Sequence, residues 1–125
     1  MRILIVDDNE SVRRAIREVL IVNPSWNVCG EAADSEDALQ KAQALRPDVI
    51  LLDMSMPGTD GLKTAHLLKR ERPETRIVIM SQNDADILSA AAREAGASGC
   101  IDKMMISAES LASILGGSPQ RSDVD

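Results

Sequence analysis

The residues of this chain with chemical capacity are Asp7 and Asp8, Asp53, Ser81, and the pair Asp102 and Lys103. Each stands at the end of a short apolar run, so if those runs are neighbouring strands, all of them face one rim. Three carboxylates gathered together repel one another unless a cation lies between them. Oxygen donors with no His or Cys beside them favour magnesium over zinc. Magnesium typically uses one or two carboxylates, keeps several waters and takes phosphate oxygens. A lysine ammonium and a serine hydroxyl are surplus around a bare cation but suit an anion. The set therefore points to a site where a metal and Lys103 together neutralise a phosphoryl group carried by Asp53 as nucleophile.

The elements that must position these residues can be read from apolar periodicity. Ile3–Val6, Val49–Leu52 and Ile77–Met80 are continuous aliphatic runs, as expected of parallel strands covered on both faces. Between them lie helical stripes: Val12, Ala15, Ile16, Val19 and Leu20; Ala38, Leu39, Ala42 and Leu45; Ile87, Leu88, Ala91, Ala92 and Ala95; and Leu111, Ala112 and Leu115. A further helix over 60–71 is polar enough to be mostly exposed. Weaker strands over 27–32 and 98–102 complete five β-α units. Asn9, Ser35 and Ser107 are suited to N-caps, Pro24, Pro47 and Pro73 to helix stops, and Gly96 to closing the helix before it. Alternation of this kind implies an α/β fold: one doubly wound five-stranded parallel sheet, order 2-1-3-4-5, flavodoxin-like, with helices on both faces and right-handed crossovers. The two least apolar strands, the second and fifth, belong at its edges.

Composition narrows the function classes. At 125 residues the chain fits one domain, expected over 1–116, followed by a linker or disordered tail over 117–125 rich in Gly, Ser and polar residues. Hydrophobic residues make up 44% and charged residues 27%, which rules out a disordered or fibrous class. The core must be aliphatic, because Trp26 is the only aromatic residue. A formal charge of −6 argues against direct nucleic-acid binding. Cys29 and Cys100 match neither a metal nor a disulfide spacing and read as buried free thiols. The opening apolar run is too short for a signal sequence and no later run reaches membrane-spanning length, so a cytoplasmic location is expected.

Taken together, Ile-Val-Asp7-Asp8, Leu-Leu-Asp53-Met-Ser-Met-Pro57-Gly58 with Asp60-Gly61, Ser81, and Gly96-Ala-Ser-Gly99-Cys-Ile-Asp-Lys103 resemble the receiver domain of two-component response regulators, over essentially the whole ordered chain. The Pro-Glu-Thr-Arg stretch and Gly-Ala-Ser-Gly resemble most the subfamily with a C-terminal helix-turn-helix output domain. The resemblance implies a signalling switch, not an enzyme, in which Asp53 takes phosphate from a sensor histidine kinase and only phosphotransfer and dephosphorylation are self-catalysed. It implies that Asp8 and Asp53 ligate Mg²⁺ through side chains, Ser55 through its backbone carbonyl and Asp7 through water, while Ser81 and Lys103 contact the phosphoryl oxygens. It also implies kinase docking at the first helix, transcriptional control through an output domain, and homodimer formation through the face made by the helix over 87–95, the fifth strand and the last helix. The sequence departs from the family at three places. Cys100 stands where an aromatic usually relays the switch, Gln82 where a small residue is usual, and Met104 where proline commonly follows the lysine.

Each residue also has a plainer reading. Asp7-Asp8 alone could be an acidic pair at a helix N-terminus, Asp53 a turn residue, Ser81 an N-cap and Lys103 a solvated lysine. Their joint placement carries the functional reading. His66 has no second ligand candidate, the Met54, Met56, Met104 and Met105 group reads as gap-filling near the rim, and Arg13, Arg14 and Arg17 read as a solvated face. Two other functions compete. A phosphatase of the haloacid dehalogenase type needs a second Asp two residues after the nucleophile, where this chain has Ser55. A receiver-like interaction module that never uses phosphate is kept open by the departures at Gln82 and Cys100.

Overall fold

Five strands pair in parallel in the computed structural model, which describes residues 1–54, 56, 60–81 and 96–115. They are β1 (Arg2–Val6), β2 (Asn27–Ala32), β3 (Val49–Asp53), β4 (Arg76–Ser81) and β5 (Gly99–Asp102), in the order β2-β1-β3-β4-β5. The helices are α1 (Glu10–Leu20), α2 (Ser35–Leu45), α3 (Gly61–Glu71) and α4 (Ala108–Leu115), with a 3₁₀ turn at Lys103–Met105. Both the doubly wound α/β class and the strand order match expectation. The stripe through Ile87–Ala95, Gln82, Ser55 and the tail over 117–125 lie outside the described residues.

Side-chain alternation on the strands explains the unbroken apolar runs, because successive residues face opposite sides of the sheet. Leu4, Val6, Ile50, Leu52, Ile77 and Ile79 pack with Ala38 and Ala42 of α2 and Ala65 and Leu68 of α3. Ile3, Ile5, Val49, Leu51, Val78 and Met80 pack with Ile16 and Leu20 of α1 and Leu111 and Leu115 of α4. Trp26 belongs to this second cluster, just before β2. Every residue of β3 is buried, whereas most of β2 is only half-buried, which sets β2 at the edge. Among the described residues, no helix is long and apolar enough to cross a membrane.

Local expectations hold unevenly. Asn9 caps α1 by accepting from the amides of Ser11 and Val12, and Ser107 accepts from the Ser110 amide at the start of α4. At α2 the cap is Asp34 rather than Ser35: the Asp34 carboxylate accepts from the Asp37 amide. Ser35 is already helical, and its hydroxyl meets that of Thr64 at 3.0 Å instead. Helix α3 buries more than its polarity suggests, since Gly61, Thr64, Ala65 and Leu68 form one close-packed stripe and Thr64 donates its hydroxyl to the Asp60 carbonyl. Gly61 is required there, because a Cβ would come within 2.8 Å of the Met54 backbone. Gly96 has φ of +97°, a backbone conformation that favours glycine, while the helix it is expected to close lies outside the described residues. Cys29 and Cys100 are thiols, half-buried rather than buried. Met105 is 68% exposed and fills no gap, since the turn at Lys103–Met105 carries it outward.

Candidate functional site

Strand register brings the first two carboxylates together. Val6 of β1 pairs with Leu52 of β3, so the next residue on each strand, Asp7 and Asp53, stands beside the other at the carboxyl end of the sheet. Both are buried, at 0% and 1% exposure. Asp8 follows on the loop toward α1 and is exposed. One carboxylate oxygen from each of Asp7, Asp8 and Asp53 lies within 4.8 Å of the others.

Lys103 begins at the far side of β4, directly after β5. Its side chain therefore crosses the end of β4, and its ammonium lies 2.7 Å from Asp7 Oδ2 and 3.0 Å from Asp53 Oδ1. The side chain is only 9% exposed. Ser81 ends β4, buried, with Asp102 as its register partner on β5. The structure thus brings together Asp7, Asp8, Asp53 and Lys103, and sets Ser81 on the intervening strand end. His66 is exposed on α3 and is not a member of the carboxylate cluster.

The arrangement fits a hard cation. Asp7 Oδ2 is buried without hydrogen-bond geometry to any partner, its close approach to Lys103 being an ion pair by distance alone. Lys103 supplies one positive charge to this oxygen, but three carboxylates outnumber it, and with one of them open to solvent they give a hydrated divalent ion both ligands and an entry.

The Lys103 pKa is raised above its ordinary value of 10.5. Burial is the largest single influence and lowers it, but the close contacts of the ammonium with the Asp7 and Asp53 carboxylates, and then their charges, together outweigh burial. A group whose folded pKa is raised contributes stability that is complete below its unfolded pKa and is lost as pH rises through the folded value. Denaturation titrations are therefore expected to show a loss of stability above about pH 10.5 that is smaller in Lys103→Met. Equal alkaline losses in the two proteins would contradict this.

Local structure holds the acidic loop. The Asp7 amide donates to the Ala32 carbonyl, extending the β1–β2 ladder, and the Asn9 amide donates to Asp7 Oδ1 at 2.9 Å. The Asn9 side chain then starts α1. Asn9→Ala is expected to destabilise the fold by about 1 kcal/mol, read as a lower denaturation midpoint at unchanged slope. Since the amide contact to Asp7 survives that substitution, cation binding should change little.

One feature was not legible in the sequence. The arginines of α1 are not simply a solvated face: Arg13 Nε donates to Glu31 Oε1 at 2.9 Å, Arg17 pairs with Glu31 Oε2, and Arg13 Nη1 donates to the Asp7 carbonyl at 2.5 Å. Arg14 alone of the three is exposed. The pairing joins residues 18 apart on different elements, and no local spacing signals it.

Comparison with known proteins agrees with the geometry. Residues 3–115 match the family model for the response regulator receiver domain. Response regulator GacA of Pseudomonas viridiflava is 36% identical over 103 residues, covering 82% of this chain and 48% of that protein. The nitrate/nitrite response regulator protein NarL of Escherichia coli K12 is 36% identical over 105 residues, with the same coverage of 82% and 48%. The chain thus spans about half the length of these curated relatives. The signal receiver domain of the putative response regulator NarL from Mycobacterium tuberculosis superposes with a TM-score of 0.82 at 31% identity, covering 94% of this chain and 97% of that one.

Proposed function

Because this chain belongs to the response regulator receiver domain family, we propose that it is a magnesium-dependent switch whose Asp53 accepts a phosphoryl group from a sensor histidine kinase. The single observation that carries the reading is the Lys103 ammonium held 3.0 Å from Asp53 Oδ1 within a cluster of three carboxylates. A solvated lysine would not be buried against two acids, and a purely structural ion pair would not need the third acid, exposed Asp8, within reach.

The chemistry assigns a role to each residue. A carboxylate oxygen of Asp53 attacks phosphorus, and the bond from phosphorus to the donor atom breaks. The donor, a histidine nitrogen of the kinase or the acetate oxygen of acetyl phosphate, leaves with the electron pair. Asp8 and Asp53 side chains and the Ser55 carbonyl would hold Mg²⁺ directly, with Asp7 acting through water. When bound, the ion supplies positive charge to the phosphoryl oxygens. Lys103 and Ser81 take the remaining oxygens, and their movement toward the new charge is the switching event. Discharge returns the protein to its starting state, so this is a phosphoacceptor rather than a turnover enzyme.

Docking of the kinase on α1 is supported by a groove of about 290 Å³ between that helix and the segment after β5. Val12, Ala15, Val19 and Ile106 line it, and Lys103 lines it too, which connects the groove with the acidic site. We assign the receiver unit to 1–116 and a linker to 117–125, a cytoplasmic location, and control of transcription through an output domain. Homodimer formation through the face that includes β5 and α4 belongs to the same reading.

Incubation with acetyl phosphate and magnesium should add one acid-labile phosphoryl group, seen by intact mass. If no donor adds that mass, the interaction module that never uses phosphate replaces this reading.

A further inference from the structure

We propose that Arg13, anchored by Glu31, is a positioning residue for the cation site: it fixes the backbone of Asp7 so that Asp7 and Asp8 present their oxygens together. The inference rests on the magnesium reading given above. The Arg13 side chain is only 16% exposed and that of Glu31 25%. Its planar fork spends two donors on two different elements, Nη1 on the Asp7 carbonyl at the end of β1 and Nε on Glu31 of β2. Glu31 is itself gripped from both sides, its carboxylate by Arg17 and its backbone carbonyl by Lys41.

Asp7 is consequently held along its length. Its amide is bound by Ala32, its carbonyl by Arg13 and its Oδ1 by the Asn9 amide. Loss of the carbonyl contact frees the peptide between Asp7 and Asp8, the two adjacent residues that contribute two of the three carboxylates. Groups that orient metal ligands without touching the metal commonly alter affinity by roughly 10–100-fold.

Charge gives a test that separates positioning from simple electrostatics. Arg13→Ala removes a positive charge near an acidic site, so Coulomb's law alone predicts tighter magnesium binding. Glu31→Gln removes a negative charge, for which Coulomb's law alone predicts weaker binding. A positioning pair predicts weaker binding in both. Titration calorimetry of the full chain with magnesium chloride should show affinity falling roughly tenfold in Arg13→Ala and less in Glu31→Gln, with the double variant no worse than Arg13→Ala. Unchanged or tighter binding in a folded Arg13→Ala protein would overturn the proposal. If that variant does not fold, Arg13→Lys decides. It keeps the charge but cannot span both partners, so weakened binding supports positioning and wild-type affinity refutes it. Asp8→Asn is the control: a wild type that binds no magnesium, or binds it equally well with Asp8→Asn, sinks the cation reading itself and this inference with it.

Discussion

Asp53→Asn is expected to reduce phosphoryl incorporation from acetyl phosphate to background while leaving the fold intact. The amide lacks the anionic oxygen that attacks phosphorus, and no other carboxylate substitutes at the same place: Asp7 is wholly buried and already paired with Lys103, and Asp8 sits on the loop outside the strand. Folding should survive because Lys103 keeps its 2.7 Å contact with Asp7 when the Asp53 charge is removed. Intact mass after donor treatment, beside a thermal unfolding curve, checks both halves. A folded Asp53→Asn protein that still gains one phosphoryl group would move the acceptor elsewhere.

The second large effect is expected at Lys103. In the metal-free protein its ammonium is the cation between two carboxylates that are 0% and 1% exposed. Lys103→Ala leaves both without it, and breaking a buried ion pair from one side typically costs about 3–5 kcal/mol. Magnesium should restore much of that loss, because a ligand that binds only the folded state stabilises it, and the variant site has more uncompensated charge to offer. Lys103→Ala is therefore expected to be markedly less stable without magnesium, to gain more from added magnesium than wild type does, and to lose most of the conformational response to the acyl phosphate. Denaturation with and without magnesium, and amide chemical shifts before and after phosphorylation, measure these outcomes. A variant as stable as wild type without the ion would mean that Lys103 does not hold the site together, and an undiminished shift response would place the relay elsewhere.

Much of this site could be anticipated from the chain because its logic is short-range in the strands. An aliphatic run followed by an acid at Val6-Asp7 and again at Leu52-Asp53 becomes a pair of adjacent acids once the runs are neighbours in register. Lys103 was legible for a related reason, since a long side chain at the end of β5 can reach across one strand end. What could not be read depends on choices that several residues satisfy equally. Asp34 and Ser35 are both good caps, and only the backbone, extended at Asp34 and helical at Ser35, decides between them. The bracing of Glu31 by Arg13 and Arg17 links a helix face to an edge strand through the tertiary fold, and a row of arginines looks the same whether it faces solvent or a partner. Helical periodicity over 60–71 underestimated burial, because it weighs hydrophobicity, whereas α3 lies close to the sheet through small residues and a self-satisfied threonine.

The position of Trp26 has an optical consequence. With no Phe or Tyr in the chain, this indole is the sole near-ultraviolet chromophore of note, so its emission is an uncontaminated signal. It neighbours Asn27, which pairs with Arg2, whereas the acids begin five residues further along β1 at Asp7. At about 3.3 Å per residue that separation is roughly 16 Å, too long for contact quenching by an ion at the rim. Emission at this indole should therefore track denaturation and the seating of α1 on the sheet, while remaining dark to magnesium and phosphate, giving an internal reference against which rim-specific labels can be read.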